Sequence, residues 1–385
     1  MRLSDCHNIE DFRRLAKARL PFPVFDYIDG GADDELTKAR NTAAYADVDL
    51  VPEVLAGVET IDTSCTILGR RSALPLMLSP TALQRAFHWQ GETAVAKAAE
   101  KFGLWFGISS LATRSIEEIA ALTRGPKLFQ LYVHKDKGLN THMIERCKAA
   151  GFDALALTVD TIVSGKRERC LRSGFTTPPR FTLASIWSYA TRPRWTLNYL
   201  LREKFRLPNL DAHVREGTHR PVSVAEYFNT MLDTAMDWDT AAAIRAQWGG
   251  PFVLKGVMSA ADARRAVEIG ADAIMVSNHG GRQLDGSRAP FDQLPEIVDA
   301  VGGQIEIICD GGVRRGTHVL KALCAGANAA SGGRLYLYAL AAAGQKGVER
   351  ALTILKDEIE RGMRLMGVRR VDQLTPDRLR RRGVS

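Results

Sequence analysis

Paired cysteines, long apolar runs and a signal-like N-terminus are all missing from this sequence, and each absence removes a class of protein. Six cysteines (Cys6, Cys65, Cys147, Cys170, Cys309, Cys324) are scattered without a CxxC pair. Neither a zinc centre nor a disulfide framework is expected, no other metal site suggests itself, and a reducing, cytoplasmic compartment fits best. No apolar run reaches the roughly 20 residues that a membrane-spanning helix needs. The opening stretch, MRLSDCHNIEDFRRLAKARL, mixes charge with apolar residues and lacks a continuous apolar core, so it does not read as a secretory signal. There is also little charge imbalance outside one segment. The net charge is +8, and residues 161–206 alone hold ten Lys or Arg (166, 167, 169, 172, 180, 192, 194, 202, 204, 206) against two acids (168, 203). That local excess equals the whole net charge, which excludes a general nucleic-acid-binding surface.

What is present is a rhythm. The chain has 385 residues, 45% hydrophobic and 25% charged, enough for one large core. From residue 74 onward, short apolar runs alternate with stretches of helical periodicity. The strand candidates are 74–80, 104–110, 128–133, 153–160, 251–257, 273–279, 305–312 and the weakest, NAASGGR at 328–334. Between them GETAVAKAAEKF, SIEEIAAL and SAADARRAVEIG space apolar residues for one helix face, often with a Ser start or a Gly stop. Eight strand-helix units with continuous apolar strands imply a parallel sheet, and eight is the number that closes a (β/α)8 TIM barrel. A doubly wound open sheet is the runner-up, but the Gly-rich turn usual after its first strand is absent from SPTALQ at 79–84. The reading is a single domain: an N-terminal helical extension over 1–73, a barrel over 74–360, and a long insertion over 161–235 after strand four.

In such barrels the chemistry sits at the C-terminal ends of the strands. Those ends read Pro80, Thr81, Ser109, Gln130, Tyr132, Thr158, Asp160, Lys255, His279, Arg282, Asp310, Arg314 and Arg334, a strongly polar set. The last two units carry DGGVRRG (310–316) and GGR (332–334), where glycines admit an anion to backbone N–H groups and arginines add bidentate donors, so a phosphate is expected there.

Six motifs in this order, SPTAL, FQLYVHKD, LTVDT with GKRE, LKGV, SNHGGRQLDG and DGGVRRGT, resemble the FMN-dependent 2-hydroxy acid dehydrogenases and oxidases. That family includes L-lactate dehydrogenase, glycolate oxidase and mandelate dehydrogenase. The likeness runs from FDYIDGGADDE (25–35) to LYLYALAAAGQKGV (335–348). It implies FMN across the barrel mouth. Pro80, Thr81 and Ala82 would lie near flavin N5, Ser109, Gln130 and Thr158 would bond the ring, and Lys255 would sit near N1 and O2. Ser277 and Asp310 would support the cofactor, and Gly311, Gly312, Arg314, Gly333 and Arg334 would hold its phosphate. It further implies an α-hydroxy carboxylate substrate gripped by Arg167 and Arg282, with Tyr27 and Tyr132 adding hydroxyls, His279 as the base and Asp160 orienting it. Imidazole titrates near neutrality and suits removal of either the hydroxyl proton or the α-proton. The implied reaction is oxidation of an L-2-hydroxy acid, lactate-like or larger, with flavin N5 accepting the electrons. A quinone or O2 would be the final acceptor, O2 giving an oxidase that makes hydrogen peroxide. An FMN barrel isomerase is a third reading, but it has no use for the Tyr27, Arg167, His279 and Arg282 set. The resemblance also implies a homo-oligomer, a tetramer or larger.

Two departures stand out. Leu111 falls where glycolate oxidase has tryptophan, which predicts a wider substrate pocket, and strand eight is smaller and more polar than its neighbours. Finally, residues 171–206 interleave Arg and Lys with Trp187, Tyr189, Trp195, Tyr199 and Phe205. Cationic and aromatic side chains together suit a membrane interface, so peripheral contact at the inner face of the membrane is one expectation and packing on the barrel or a neighbouring subunit the other. His134 and His318 receive no role, and His88 is expected to be solvated or capping.

Overall fold

Eight parallel strands close into a barrel in this computed structural model, which describes residues 1–175, 182–203, 205–210 and 230–383. The strands are β1 (Leu76–Thr81), β2 (Trp105–Ser109), β3 (Lys127–Leu131), β4 (Ala154–Thr158), β5 (Phe252–Val257), β6 (Ala273–Ser277), β7 (Glu306–Asp310) and β8 (Ala329–Gly332). Each pairs in parallel with the next, and β8 closes onto β1 through Ala330–Leu76, Ser331–Met77 and Gly332–Leu78. The doubly wound alternative is excluded by that closure. All eight apolar runs became strands because each is buried on both faces, toward the barrel axis and toward the helices.

The barrel interior packs Met77, Trp105, Leu128, Val253, Met275 and Ile308 with smaller alanines. A hairpin, Cys65–Ile67 with Arg70–Ser72, plugs the N-terminal end of the barrel. Its Ile67 and Leu68 join the interior cluster, and the Leu68 N–H donates to both carboxylate oxygens of Glu306 at the start of β7. With the bottom filled, the opposite end is left for a site.

The N-terminal extension is helical, as expected, only in its first part, α1 (Ile9–Arg19), α2 (Phe22–Asp29) and α3 (Leu36–Ala43); beyond these the stretch to residue 73 carries the short strand Val48–Leu50 and the plugging hairpin. Asn8 caps α1 by accepting from the Asp11 N–H at 3.0 Å. The extension does more than cover an end. Asn41 of α3 exchanges amide hydrogen bonds of 2.8 and 2.7 Å with Asn278, in the loop after β6. After β8 a helical stretch, Arg334–Leu365, breaks at Ala343 and Gly344. It runs through the barrel boundary expected at residue 360, and the chain then returns to pair Leu379–Arg381 antiparallel with Val48–Leu50.

Within the insertion the described helices are Glu168–Ser173, Leu183–Ala190 and Pro193–Leu201. Thr182 opens the second with a capping box to Ser185, and Pro193 opens the third at a position where its missing N–H costs nothing. Within the 161–235 reading, residues 176–181, 204 and 211–229 lie outside the described residues.

Candidate active site

The loop after β6 presents His279 in a left-handed conformation (φ 58°), which a residue with a side chain adopts only where its surroundings hold it. Its N–H donates to Ser277 Oγ at 3.2 Å, and its Nδ1 lies 3.0 Å from Asp160 Oδ1. The Thr161 hydroxyl donates to the same carboxylate oxygen at 2.8 Å. Asp160 can approach because β5 is irregular between Lys255 and Val257, at Gly256. A Cβ on Gly256 (φ 112°) would stand 2.7 Å from Asp160 Cβ. The other ring nitrogen, Nε2, is 3.4 Å from the Tyr132 hydroxyl. Burial lowers the His279 pKa, and Asp160 only partly offsets it, so the imidazole is neutral near pH 7. Burial raises Asp160, but His279 and Lys255 outweigh it and keep the carboxylate ionised. Burial and the Asp160 charge push the Tyr132 phenol well up, so it stays a donor.

Across the barrel mouth a second network is complete. Lys255 Nζ lies 3.0 Å from Asp310 Oδ2 and donates to Ser277 Oγ at 2.9 Å. Ser277 and Ser79 donate to the two Asp310 oxygens, and the Ser79 and Ser331 hydroxyls lie 2.6 Å apart. Burial pulls Lys255 down, yet Asp310 and Asp160 together leave it above its usual value, a cation at any working pH. The same network explains the polar strand eight. Ser331 is fully buried and hydroxyl-bonded, and a Cβ on Gly332 would meet Leu335 at 2.6 Å, so a larger apolar residue has no room there.

Four arginines around the same cavity are the opposite case. Arg167, Arg282, Arg314 and Arg334 line it, and none forms an ion pair with a carboxylate among the described residues. Arg282 donates to the Tyr27 and Gly30 carbonyls at 2.6 and 3.1 Å, and its guanidinium stands 4.8 Å from the Tyr27 ring. Arg167 stands 5.8 Å from that ring. Burial and the Arg167 charge pull Arg282 down to about 10. Arg334 donates to the carbonyls of Ile28, Gly30 and Gly280 at 2.9, 2.7 and 2.7 Å. So much uncompensated positive charge in one partly buried cavity is an anion site, and four guanidiniums exceed what one small carboxylate requires.

The residues expected at the site come together. Tyr27, Pro80, Thr81, Ala82, Ser109, Tyr132, Arg167, Lys255, His279, Arg282, Asp310, Gly311, Gly312, Arg314, Gly333 and Arg334 all line the cavity. Asp160, Ser277, Gln130 and Thr158 do not line it. Asp160 and Ser277 stand behind His279 and Lys255. Gln130 and Thr158 are buried at the ends of β3 and β4, and Gln130 Nε2 and Thr158 Oγ1 have no hydrogen-bond partner among the described residues. Such orphaned polar atoms are rare without a ligand. Gly332, in the expected anion turn, is in the lining too, and Ile28, Ser79, Phe87, Gly280 and Leu337 complete it and were not expected. Ser79 and Gly280 adjoin predicted residues. Ile28, Phe87 and Leu337 carry no sequence signal beyond being apolar. Leu111 is buried in the hydrophobic core and is absent from the lining.

Pyrimidine-like donors and acceptors for Gln130 and Thr158, a buried lysine beside them and a Gly-Arg anion cradle are what an isoalloxazine ring bearing a phosphate needs, and these residues fit FMN. A TIM barrel with this mouth has the residues of a flavin site and guanidiniums beyond those one phosphate needs. Comparison with known proteins carries this further. The model of the FMN-dependent dehydrogenase family matches residues 16–381. The chain is 41% identical over 364 residues to the L-lactate oxidase of a Nostoc species, covering 94% of each. It is 40% identical over 376 residues to the L-lactate dehydrogenase of Alcaligenes faecalis, covering 96% of this chain and 97% of that one. Among solved structures, the monotopic membrane protein (S)-mandelate dehydrogenase superposes with a TM-score of 0.91 at 33% identity, over 98% of this chain and all of that one. The chain belongs to the FMN-dependent dehydrogenase family, is an oxidoreductase and uses FMN.

Proposed function

We propose that this enzyme oxidises an L-2-hydroxy acid, lactate-like or larger, to the 2-oxo acid, with His279 as the base. The observation that carries it is the placing of His279. Its Nδ1 is 3.0 Å from the Asp160 carboxylate, its Nε2 is 3.4 Å from the Tyr132 hydroxyl, and the cavity it lines also holds Arg167 and Arg282, which have no carboxylate partner among the described residues. Arg167 and Arg282 take the substrate carboxylate, and Tyr132 donates to the substrate oxygen. Neutral His279 then receives the departing proton on Nε2, and the Asp160 charge stabilises the imidazolium that results. FMN, when bound, supplies the two-electron acceptor. Pro80, Thr81, Ala82, Ser109, Gln130 and Thr158 would hold its ring, Lys255 would supply positive charge to it, and Gly311, Gly312, Gly333, Arg314 and Arg334 would hold its phosphate. Anaerobic mixing of the holoenzyme with a panel of 2-hydroxy acids tests this. Bleaching of the flavin absorbance by an L-2-hydroxy acid is expected, and no bleaching by any member of the panel overturns it.

The final acceptor in this reading is a membrane quinone. Leu183, Trp187, Leu200 and Leu201 on the two insertion helices are 89%, 72%, 68% and 78% exposed. No helix among the described residues is long and apolar enough to cross a membrane. Exposed apolar side chains among arginines suit peripheral contact with an anionic bilayer. The likeness to a monotopic membrane dehydrogenase supports the same reading. Co-sedimentation with anionic vesicles tests it, and an intact protein that stays in the supernatant refutes it. The likeness to a lactate oxidase keeps O2 in view, and stoichiometric hydrogen peroxide during turnover would establish that alternative.

A further inference from the structure

A second cavity, of about 410 Å³, lies where the insertion folds back over α1 and the loop after β1. Phe87 lines both this cavity and the catalytic one, so a single buried side chain forms the wall they share. The volume is within the roughly 300–1,000 Å³ of small-molecule sites. Its insertion side is aromatic. Trp195 and Tyr199 stack at 5.1 Å and 11°, and the Trp195 indole N–H donates to the Ala86 carbonyl at 2.9 Å, which locks the pair against the barrel.

The cavity's cations outnumber its acids, although Arg85 already faces Glu203 at 3.7 Å and Arg19 donates to the Ala342 carbonyl. Arg19, Arg85, Arg192 and Arg194 line the cavity against one acid, Glu203. His88 is pushed down to about 4 by burial and by Arg19, so it is neutral, and its Nδ1 accepts from the Gln90 N–H at 3.3 Å. That hydrogen bond puts the ring proton on Nε2, making His88 a further donor. The break in the last helix serves this arrangement. A Cβ on Gly344 (φ 60°) would meet Gln90 Oε1 at 2.1 Å and His88 Cε1 at 2.5 Å, so only glycine lets the His88 loop seat there.

We infer that this cavity binds the head group of a quinone, the oxidant that takes the two electrons released by the hydroxy acid. The inference rests on the quinone reading above and names its site. A quinone ring is planar and stacks on aromatic walls, and its two carbonyl oxygens accept from guanidinium and imidazole donors. The exposed Leu197, Leu200 and Leu201 continue the same helix away from the cavity and provide an apolar path for a tail. The balance is complete. The hydroxy acid breaks one C–H and one O–H bond, forms a C=O bond and gives up two electrons and two protons. The quinone takes two electrons and two protons on its oxygens and becomes the quinol.

Ala18→Trp fills the cavity from the exposed face of α1, and Arg194→Gln removes one cation from its rim. Both holoenzymes are expected to bleach with hydroxy acid at the wild-type rate and to be reoxidised normally by ferricyanide. With a short-tailed benzoquinone, Ala18→Trp should raise the half-saturating concentration about tenfold or more, and Arg194→Gln by a smaller factor. Calorimetric titration of the resting holoenzyme with the same benzoquinone should show saturable binding that Ala18→Trp abolishes. Wild-type quinone kinetics in Ala18→Trp would overturn the site alone. Bleaching without reoxidation by quinone would overturn the site together with the acceptor reading. Failure to bleach would sink the substrate reading, and the titration would still decide the cavity: saturable binding lost in Ala18→Trp supports it, and no binding overturns it.

Discussion

The barrel mouth and the helices inserted after β4 treat the same kinds of residue in opposite ways. At the mouth, Lys255 and Asp310 are buried but each ion has its partner and its hydroxyls, and His279 has Asp160. On the insertion, Leu183, Trp187 and Leu201 stand in solvent with most of their surface uncovered. Around His279 and Lys255 the mouth is preorganised, with these charges compensated before substrate arrives, which is what electrostatic catalysis demands, while its arginines are left for anions. The insertion is tied to the barrel by contacts such as the Trp195–Ala86 hydrogen bond, yet it keeps apolar surface unburied. Substitutions at the mouth should therefore strike chemistry and stability, while those on the insertion should strike partition and leave the enzyme intact.

The largest effect is expected at His279. His279→Gln keeps the size and a hydrogen bond but cannot take a proton, so flavin bleaching in stopped flow should slow by about 100- to 10,000-fold while FMN stays bound. Near-normal bleaching would break the contrast at its strongest point. Next is Lys255→Met, which leaves Asp310 and its two serine donors without a cation. Removing one partner of a buried pair costs about 3–5 kcal/mol, so the denaturant midpoint should fall accordingly. A loss under about 1 kcal/mol would mean that Ser79 and Ser277 alone carry the carboxylate.

Two partly buried neutral histidines, one behind the mouth and one beside the insertion, allow the contrast to be read in pH. His318 stacks on Tyr45 at 4.3 Å behind the mouth, and His88 borders the insertion. Burial pushes each down to about 4. Because the folded values lie below the ordinary 6.5, the unfolded chain binds more protons between those limits. Stability is therefore full above about pH 6.5 and is lost as pH falls toward about 4, by roughly 3 kcal/mol for each histidine. Melting temperatures measured from pH 4.5 to 7 should fall on the acid side, and His318→Gln and His88→Gln should each flatten the slope above pH 5. An unchanged slope in either variant would show that its imidazole already protonates in the native state.

What the sequence makes legible follows the same division. The strands are legible because each is buried on both faces and so reads as an unbroken apolar run. His279, Asp160, Lys255 and Arg282 are legible because a polar side chain at the C-terminal end of an apolar barrel strand is positioned to face the mouth, where the chemistry of this fold collects. Pairings across long separations are not. Ser79 with Ser331 spans 252 residues, and strand eight looks anomalous until its partner across the closure is known. The plugging hairpin at Cys65–Ile67 and Arg70–Ser72 is too short to carry a periodicity. Phe87 and Leu337 reach the cavity by tertiary packing alone. In the insertion, the capping box at Thr182 and the proline at 193 mark helix starts locally, but neither says which face stays uncovered.

The smallest folding effect, and the sharpest test of the division, is on that uncovered face. Leu200 and Leu201 are 68% and 78% exposed. Converting both to Gln in the isolated holoenzyme should move stability by no more than about 0.5 kcal/mol, as for other exposed positions, and leave bleaching unchanged. Vesicles change the outcome. Full burial of a leucine side chain in an apolar phase is worth about 1.5–3 kcal/mol, so losing even part of that at two positions should weaken co-sedimentation with anionic vesicles at least about tenfold. If the double variant instead lowered the denaturant midpoint as Lys255→Met does, the two leucines would be structural and the contrast with the barrel mouth would fail. If stability and vesicle binding were both unchanged, the membrane would have to be met elsewhere on the insertion, with Leu183 and Trp187 as the next pair to convert.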